Sequence, residues 1–154
     1  MSGKSMSNAV VKARELFSGD WENMSLEQRA AAVAYVYRHF DDQDKLSSAR
    51  SFVASGDYDV YPGCLNMEQL GRQLVKSYKL DEKVMERNKA KGVRMPENLQ
   101  RISNYIKYDV LAKGMAKEGL VEEVVFAEDG GEGFAGYVVW GPGFRSPERY
   151  LGLS

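Results

Sequence analysis

The feature that most constrains this chain is a change in its hydrophobic period near Gly119. Apolar residues recur every three or four positions up to about Glu118, which is typical of helices that bury one face. Beyond Gly119, residues 120–127 (LVEEVVFA) and 134–141 (FAGYVVWG) alternate with a period of two, which indicates strands. The sequence therefore predicts a mainly α (α+β) fold, a single-domain helical bundle of five or six helices with a C-terminal β-hairpin.

The length of 154 residues suits one domain, which we expect over 1–154 with flexible or wrapping tails at 1–7 and 142–154. No stretch approaches the roughly 18 apolar residues of a membrane span, so we expect no membrane partner. The N-terminal segment has no apolar secretory core. The single cysteine, Cys64, cannot form an intramolecular disulfide and fits a reducing compartment. These features predict a cytoplasmic protein.

Local signals place the predicted helices. Ser25 followed by Gln28 forms a capping box ahead of the helix-forming run at 26–40. Asn66 is predicted to cap a later helix, with Gln69 in the reciprocal position. Gly56 and Gly119 are predicted to end helices. We predict further helices over 8–17, 45–54, 67–91 and 96–118. A possible break near Asp81 leaves open whether 67–91 forms one helix or two.

A basic segment is the most informative functional signal. Residues 71–117 carry a net charge of +7, against −3 for residues 1–70 and −5 for residues 118–154. In one continuous helix, the five bases from Arg72 to Arg87 would share about 80° of arc at about 100° per residue. The candidate binding residues are Arg72, Lys76, Lys79, Lys83, Arg87, Lys89, Lys91, Arg94, Arg101 and Lys107.

Three interpretations of this basic segment stay open. It can contact the phosphates of a nucleic acid. It can dock on an acidic protein surface, or it can be a solvated face balanced by the chain's own acidic ends. We predict a small non-enzymatic nucleic-acid-binding regulator. The alternative is a protein-interaction module, an inhibitor or adaptor of the kind that mobile elements or phages encode, docking on an acidic or nucleic-acid-binding surface of a target. The oligomeric state is left open.

The sequence lacks the residue patterns that are typical of catalytic and metal sites. Structural zinc usually takes about four Cys or His ligands, and the chain has only His39 and Cys64. We therefore predict no catalytic residues, no metal and no cofactor. The segment 131–138 fits the glycine-rich loop of kinases, G-x-G-x-x-G-x-V, but no lysine follows it. We interpret these glycines as part of a hairpin turn.

The segment 101–140 (RISNYIKYDVLAKGMAKEGLVEEVVFAEDGGEGFAGYVVW) resembles the end of a winged helix-turn-helix domain. The resemblance lies in a helix, a Gly-Leu-Val turn and a hairpin with a glycine-rich loop. It implies that Ile102 to Glu118 is the recognition helix, that Gly119-Leu120-Val121 is the turn and that residues 121–140 are the wing. The family binds DNA, so the resemblance implies a DNA partner.

Overall fold

The computed structural model describes residues 4–92, 107–127 and 133–140, and it is mainly helical with a small antiparallel sheet. This confirms the predicted α+β class. The helices are α1 (Met6–Leu16), α2 (Leu26–Arg38), α3 (Gln43–Leu46), α4 (Ala49–Ser55), α5 (Met67–Tyr78), α6 (Leu80–Ala90) and α7 (Tyr108–Lys117). A short 3-10 helix spans Trp21–Asn23, and the strands are β1 (Tyr58–Pro62), β2 (Val121–Phe126) and β3 (Phe134–Trp140). None of these described helices is long and apolar enough to cross a membrane.

The chain divides into two compact units of opposite charge. One comprises Met1–Gly63 and Val121–Gly141, and the other comprises Cys64–Leu120 and Pro142–Ser154. The first holds 7 Lys and Arg against 14 Asp and Glu, a net charge of −7, and we call it the acidic unit. The second holds 14 against 8, a net charge of +6, and we call it the basic unit. The prediction of a single domain stays a prediction.

Helix α2 forms the centre of the acidic unit. Every residue from 30 to 36 is buried, and most of them are alanines whose small side chains allow close packing. Its N-terminus has the predicted capping box, because the Ser25 hydroxyl accepts from the Gln28 N–H and the Gln28 side chain accepts from the Ser25 N–H. The sequence therefore placed this helix correctly.

Two other helical segments of the acidic unit differ from the prediction. Helix α1 begins at Met6, inside the expected flexible tail, because the Ser5 hydroxyl accepts from the Asn8 N–H. The single helix expected over 45–54 is two helices, α3 and α4. Helix α3 begins at Gln43, two residues before the predicted start, because the Asp42 side chain accepts from the Lys45 N–H. Gly56 ends α4 in the left-handed conformation, as expected.

The predicted hairpin is present, and it is part of a three-stranded sheet. The strand order is β1-β3-β2, with both neighbouring pairs antiparallel. Strand β1 lies on the far side of β3 from β2. A Cβ at Gly136 would lie 2.3 Å from the Tyr61 carbonyl oxygen, so this position requires glycine for the approach of β1. Strand packing thus accounts for one glycine of the kinase-like pattern.

An aromatic cluster fixes the end of α2 against the sheet. The ring centroids of Tyr35 and Phe52 lie 4.8 Å apart, and those of Phe52 and Trp140 are also 4.8 Å apart. The Arg38 guanidinium lies 4.7 Å above the Trp140 ring and donates to Glu122 Oε2 at 2.8 Å. One arginine therefore joins the indole of β3 to a carboxylate of β2.

The basic unit contains α5, α6 and α7. Helix α5 begins where predicted, because Asn66 Oδ1 accepts from the Gln69 N–H at 2.9 Å. The helix expected over 96–118 is not continuous, since the backbone of Lys107 is extended and α7 begins at Tyr108. Residues 93–106 lie outside the described residues. Helix α7 ends as expected at left-handed Gly119, with the Leu120 N–H donating to the Met115 carbonyl.

We expect Ser25→Ala to lower the free energy of unfolding by about 1 kcal/mol, the usual cost of a lost N-cap. The reason is that the Gln28 N–H loses its acceptor while α2 stays in place. Urea denaturation measures the change. Ser77→Ala, at an exposed position inside α5, serves as the control and should change the stability by less than about 0.5 kcal/mol. Equal effects of the two substitutions would contradict the assigned cap.

Stability should also fall at mildly acidic pH because of His39. Burial lowers the pKa of His39 from its usual 6.5, the charges of Arg38 and Lys45 act in the same direction, and Asp42 and Glu122 oppose them. The folded state therefore binds fewer protons than the unfolded chain just below pH 6.5. The stabilising contribution is complete above that pH and is lost as the pH falls through the folded-state pKa.

The measurement is urea denaturation at several values between about pH 7.5 and about pH 5.5, a range above the ordinary titration of carboxylates. The free energy of unfolding should decrease across this range in the wild type, and His39→Gln should flatten the decrease. An identical pH dependence in the two proteins would show that His39 is not the responsible group.

Candidate nucleic-acid interface

A break at Lys79 divides the predicted basic helix in two. Lys79 has φ 53° and ψ 40°, the one left-handed residue other than glycine in the described part of the chain. Helix α5 ends before it, with the Lys79 N–H directed at the Lys76 carbonyl, and α6 starts at Leu80. Residues 67–91 therefore form two helices, and the five basic residues from Arg72 to Arg87 do not lie on one face of a single straight helix.

The structure places eight of the ten candidate residues, while Arg94 and Arg101 lie outside the described residues. Seven of the eight are exposed, on or beside the three helices of the basic unit. These seven are Arg72, Lys76, Lys79, Lys83, Lys89, Lys91 and Lys107. Arg87 is half-buried, and its Nε donates to the side-chain oxygen of buried Asn88 at 3.2 Å. Arg87 therefore has a packing role within α6 that the sequence did not indicate.

Three of the candidates meet at a cleft of about 360 Å³, which we call the Tyr108 cleft. It combines cations, carboxylates, an aliphatic side chain and an aromatic ring. Its lining residues are Arg72, Val75, Lys76, Lys79, Asp81, Glu82 and Tyr108. The left-handed turn at Lys79 brings the start of α6 to the same cleft as the end of α5.

The planar cation of the cleft is held against its aromatic ring. The Arg72 Cζ lies 4.4 Å from the centroid of the Tyr108 ring, within the range of a cation–π contact. The same guanidinium lies 3.1 Å from Glu68 Oε1, one turn earlier in α5. These two contacts orient Arg72 without neutralising the other cations of the cleft.

Gly71 is the reason that Tyr108 can lie there. A Cβ on Gly71 would lie only 1.9 Å from the Tyr108 carbonyl oxygen, so the backbones of α5 and α7 touch at this point. Leu70 and Leu74 on α5 and Leu111 on α7 are fully buried beside this contact. Because Gly71 precedes Arg72, the close approach brings the Tyr108 ring to the guanidinium.

The charges of the cleft are only partly paired. Within the part of the chain that the structure describes, neither the Lys76 nor the Lys79 ammonium forms an ion pair. Asp81 and Glu82 lie in the first turn of α6, where carboxylates favour the positive end of the helix dipole. Asp81 Oδ1 accepts from the Glu82 N–H at 2.9 Å. Three cations thus face two carboxylates.

Sequence reasoning did not assign Tyr108, Asp81 or Glu82 to the site. The break predicted near Asp81 was the available signal for the two carboxylates. It indicated that a second helix would start within the basic segment, with acidic residues in its first turn. The glycine inside α5 was the signal of a close helix contact. Among the described residues, no group of three or more His, Cys, Asp or Glu side chains is arranged to hold a metal ion.

Comparisons with known protein families, with curated proteins and with solved structures find no match to this chain. The winged-helix resemblance of residues 101–140 therefore stays a prediction. Of its elements, α7 belongs to the basic unit, whereas β2 and β3 belong to the acidic unit.

We expect Lys79→Gly to raise the free energy of unfolding by about 0.5–1 kcal/mol, because glycine adopts a positive φ without steric cost. Lys79→Ala removes the same charge but keeps a Cβ, so it is the matched control. Urea denaturation of both variants separates the backbone effect from the charge effect. A glycine variant that is no more stable than the alanine variant would contradict a strained backbone at Lys79.

Proposed function

We propose that this protein is a non-enzymatic regulator that binds nucleic acid through the exposed lysine and arginine side chains of α5 and α6. The observation that carries the proposal is the meeting of Arg72, Lys76 and Lys79 at the Tyr108 cleft. Like charges held this close repel one another, and a phosphate group would relieve the repulsion. Binding to a polyanion also releases its condensed counterions, which favours association.

The surrounding surface supports a ligand with several negative charges. Lys83, Lys89 and Lys91 are exposed on α6 or at its end, and they extend the positive charge beyond the cleft. The net charge of +6 on the basic unit attracts a polyanion from a distance. The wing of the winged-helix resemblance is acidic, with Glu122 and Glu123 on β2. The proposal therefore rests on α5 and α6 and not on the hairpin.

The salt dependence of binding tests this proposal. We expect log K to fall linearly with log salt concentration between about 50 and about 200 mM. The double variant Lys76→Ala/Lys79→Ala removes up to two phosphate contacts. Its slope should be flatter by roughly 0.9 per contact on duplex DNA or roughly 0.7 on a single strand. Fluorescence anisotropy with labelled oligonucleotides gives both slopes.

The control changes the same number of charges on the acidic unit. Lys12→Ala/Lys45→Ala should leave the slope unchanged, because these lysines belong to the other unit. Equal flattening by both double variants would show that only the overall charge matters. No binding of duplex or single strand at about 50 mM salt would exclude the proposal. The remaining interpretations would then be docking on an acidic protein surface and a solvated basic face.

A further inference from the structure

We propose that the Tyr108 cleft binds one unpaired guanine nucleotide, with its phosphate on Lys76 and Lys79 and its base beside Arg72, Tyr108 and Glu82. The inference rests on the proposed function and narrows it to single-stranded nucleic acid containing guanine. The shared chemistry is a guanine base with an attached phosphate, whether it comes from a strand or from a free nucleotide.

The size of the cleft suits one nucleotide. Its volume of about 360 Å³ falls near the lower end of the roughly 300–1,000 Å³ typical of small-molecule sites. Its lining is mixed, with the aliphatic Val75 and the ring of Tyr108 among charged groups. A nucleotide has the same mixture, since it joins a flat base with hydrogen-bonding edges to an anionic phosphate.

Stacking is the reason to prefer an unpaired base. The Tyr108 ring and the Arg72 guanidinium lie 4.4 Å apart, and both groups line the cleft. Aromatic rings and guanidinium planes are the surfaces on which proteins stack splayed bases of single strands. The bases of a duplex are already stacked on one another, so only their edges and phosphates are available. A duplex could therefore use the lysines but not the ring.

The ammonium groups of Lys76 and Lys79, which form no ion pair with the described residues, are the phosphate ligands in this arrangement. Lys76 lies in the last turn of α5, Lys79 forms the left-handed link to α6, and both residues line the cleft. Arg72 already contacts the Tyr108 ring and Glu68, which assigns it to the base and not to the phosphate.

The carboxylate of Glu82 is the reason to propose guanine and not another base. A carboxylate in the cleft repels phosphate, but it accepts hydrogen bonds from N–H groups. The Watson–Crick edge of guanine carries two adjacent donors, N1–H and the 2-amino group, which match the two oxygens of one carboxylate. Adenine and cytosine offer one amino group there. Asp81 Oδ1 already accepts from the Glu82 N–H, so exposed Glu82 is assigned to the base.

The test compares three ligands and four variants by fluorescence anisotropy. The ligands are a short oligothymidine, the same strand with one central guanine, and that strand paired with its complement. Tyr108→Leu removes the ring and Tyr108→Phe keeps it. Glu82→Gln removes a carboxylate charge from the cleft. Its control, Glu86→Gln, removes a carboxylate charge at an exposed position farther along α6, which does not line the cleft. Calorimetry with free guanosine monophosphate forms a separate arm.

We expect the guanine-containing strand to bind more tightly than oligothymidine and the duplex. Tyr108→Leu should weaken single-strand binding roughly ten-fold or more and leave duplex binding unchanged, whereas Tyr108→Phe should retain the wild-type affinity. Glu82→Gln should abolish the preference for guanine, and Glu86→Gln should retain it.

Two results would overturn the inference while the proposed function stands. One is salt-dependent binding with no preference between the guanine strand and oligothymidine. The other is an equal loss of single-strand and duplex binding in Tyr108→Leu. In contrast, binding of the free nucleotide that depends on Tyr108 and Glu82, without binding of any strand, would support the cleft assignment and exclude the proposed function.

Discussion

The contact between Gly71 and the Tyr108 carbonyl is the constraint on which the candidate site depends. It requires a residue without a side chain at the middle of α5, because a Cβ there would lie 1.9 Å from an oxygen of the backbone. The contact brings an aromatic ring from a distant part of the chain next to Arg72. Without this approach, Arg72 would have no aromatic ring to stack on. The surface of α5 would then carry positive charge alone.

The left-handed conformation of Lys79 provides the second element of the site. A straight helix over 67–91 would spread its bases along one face, as a row of separate charges. The break instead places the end of α5 and the first turn of α6 around one cleft, so that Lys76 and Glu82 line the same space. The same turn that interrupts the helix also introduces carboxylates among the cations.

The parts of the structure that follow from short-range interactions were predictable from the sequence. The capping box of Ser25 and Gln28 and the helix end at Gly119 involve neighbours within a few residues, so local patterns sufficed. The pairing of β1 with β3 and the role of Gly71 depend on residues far apart in the chain, and one sequence does not reveal them. The basic residues of the site were identifiable by charge, but Tyr108 joins them through a tertiary contact.

The opposite charges of the two units change how the whole molecule behaves in an electric field. The isoelectric point of about 5.9 and the net charge of −1 describe an almost neutral chain. This small net charge is the sum of −7 on the acidic unit and +6 on the basic unit. The mobility of the protein in a native gel therefore reflects the small difference between two large charges, and a ligand that neutralises only one of the units changes it strongly.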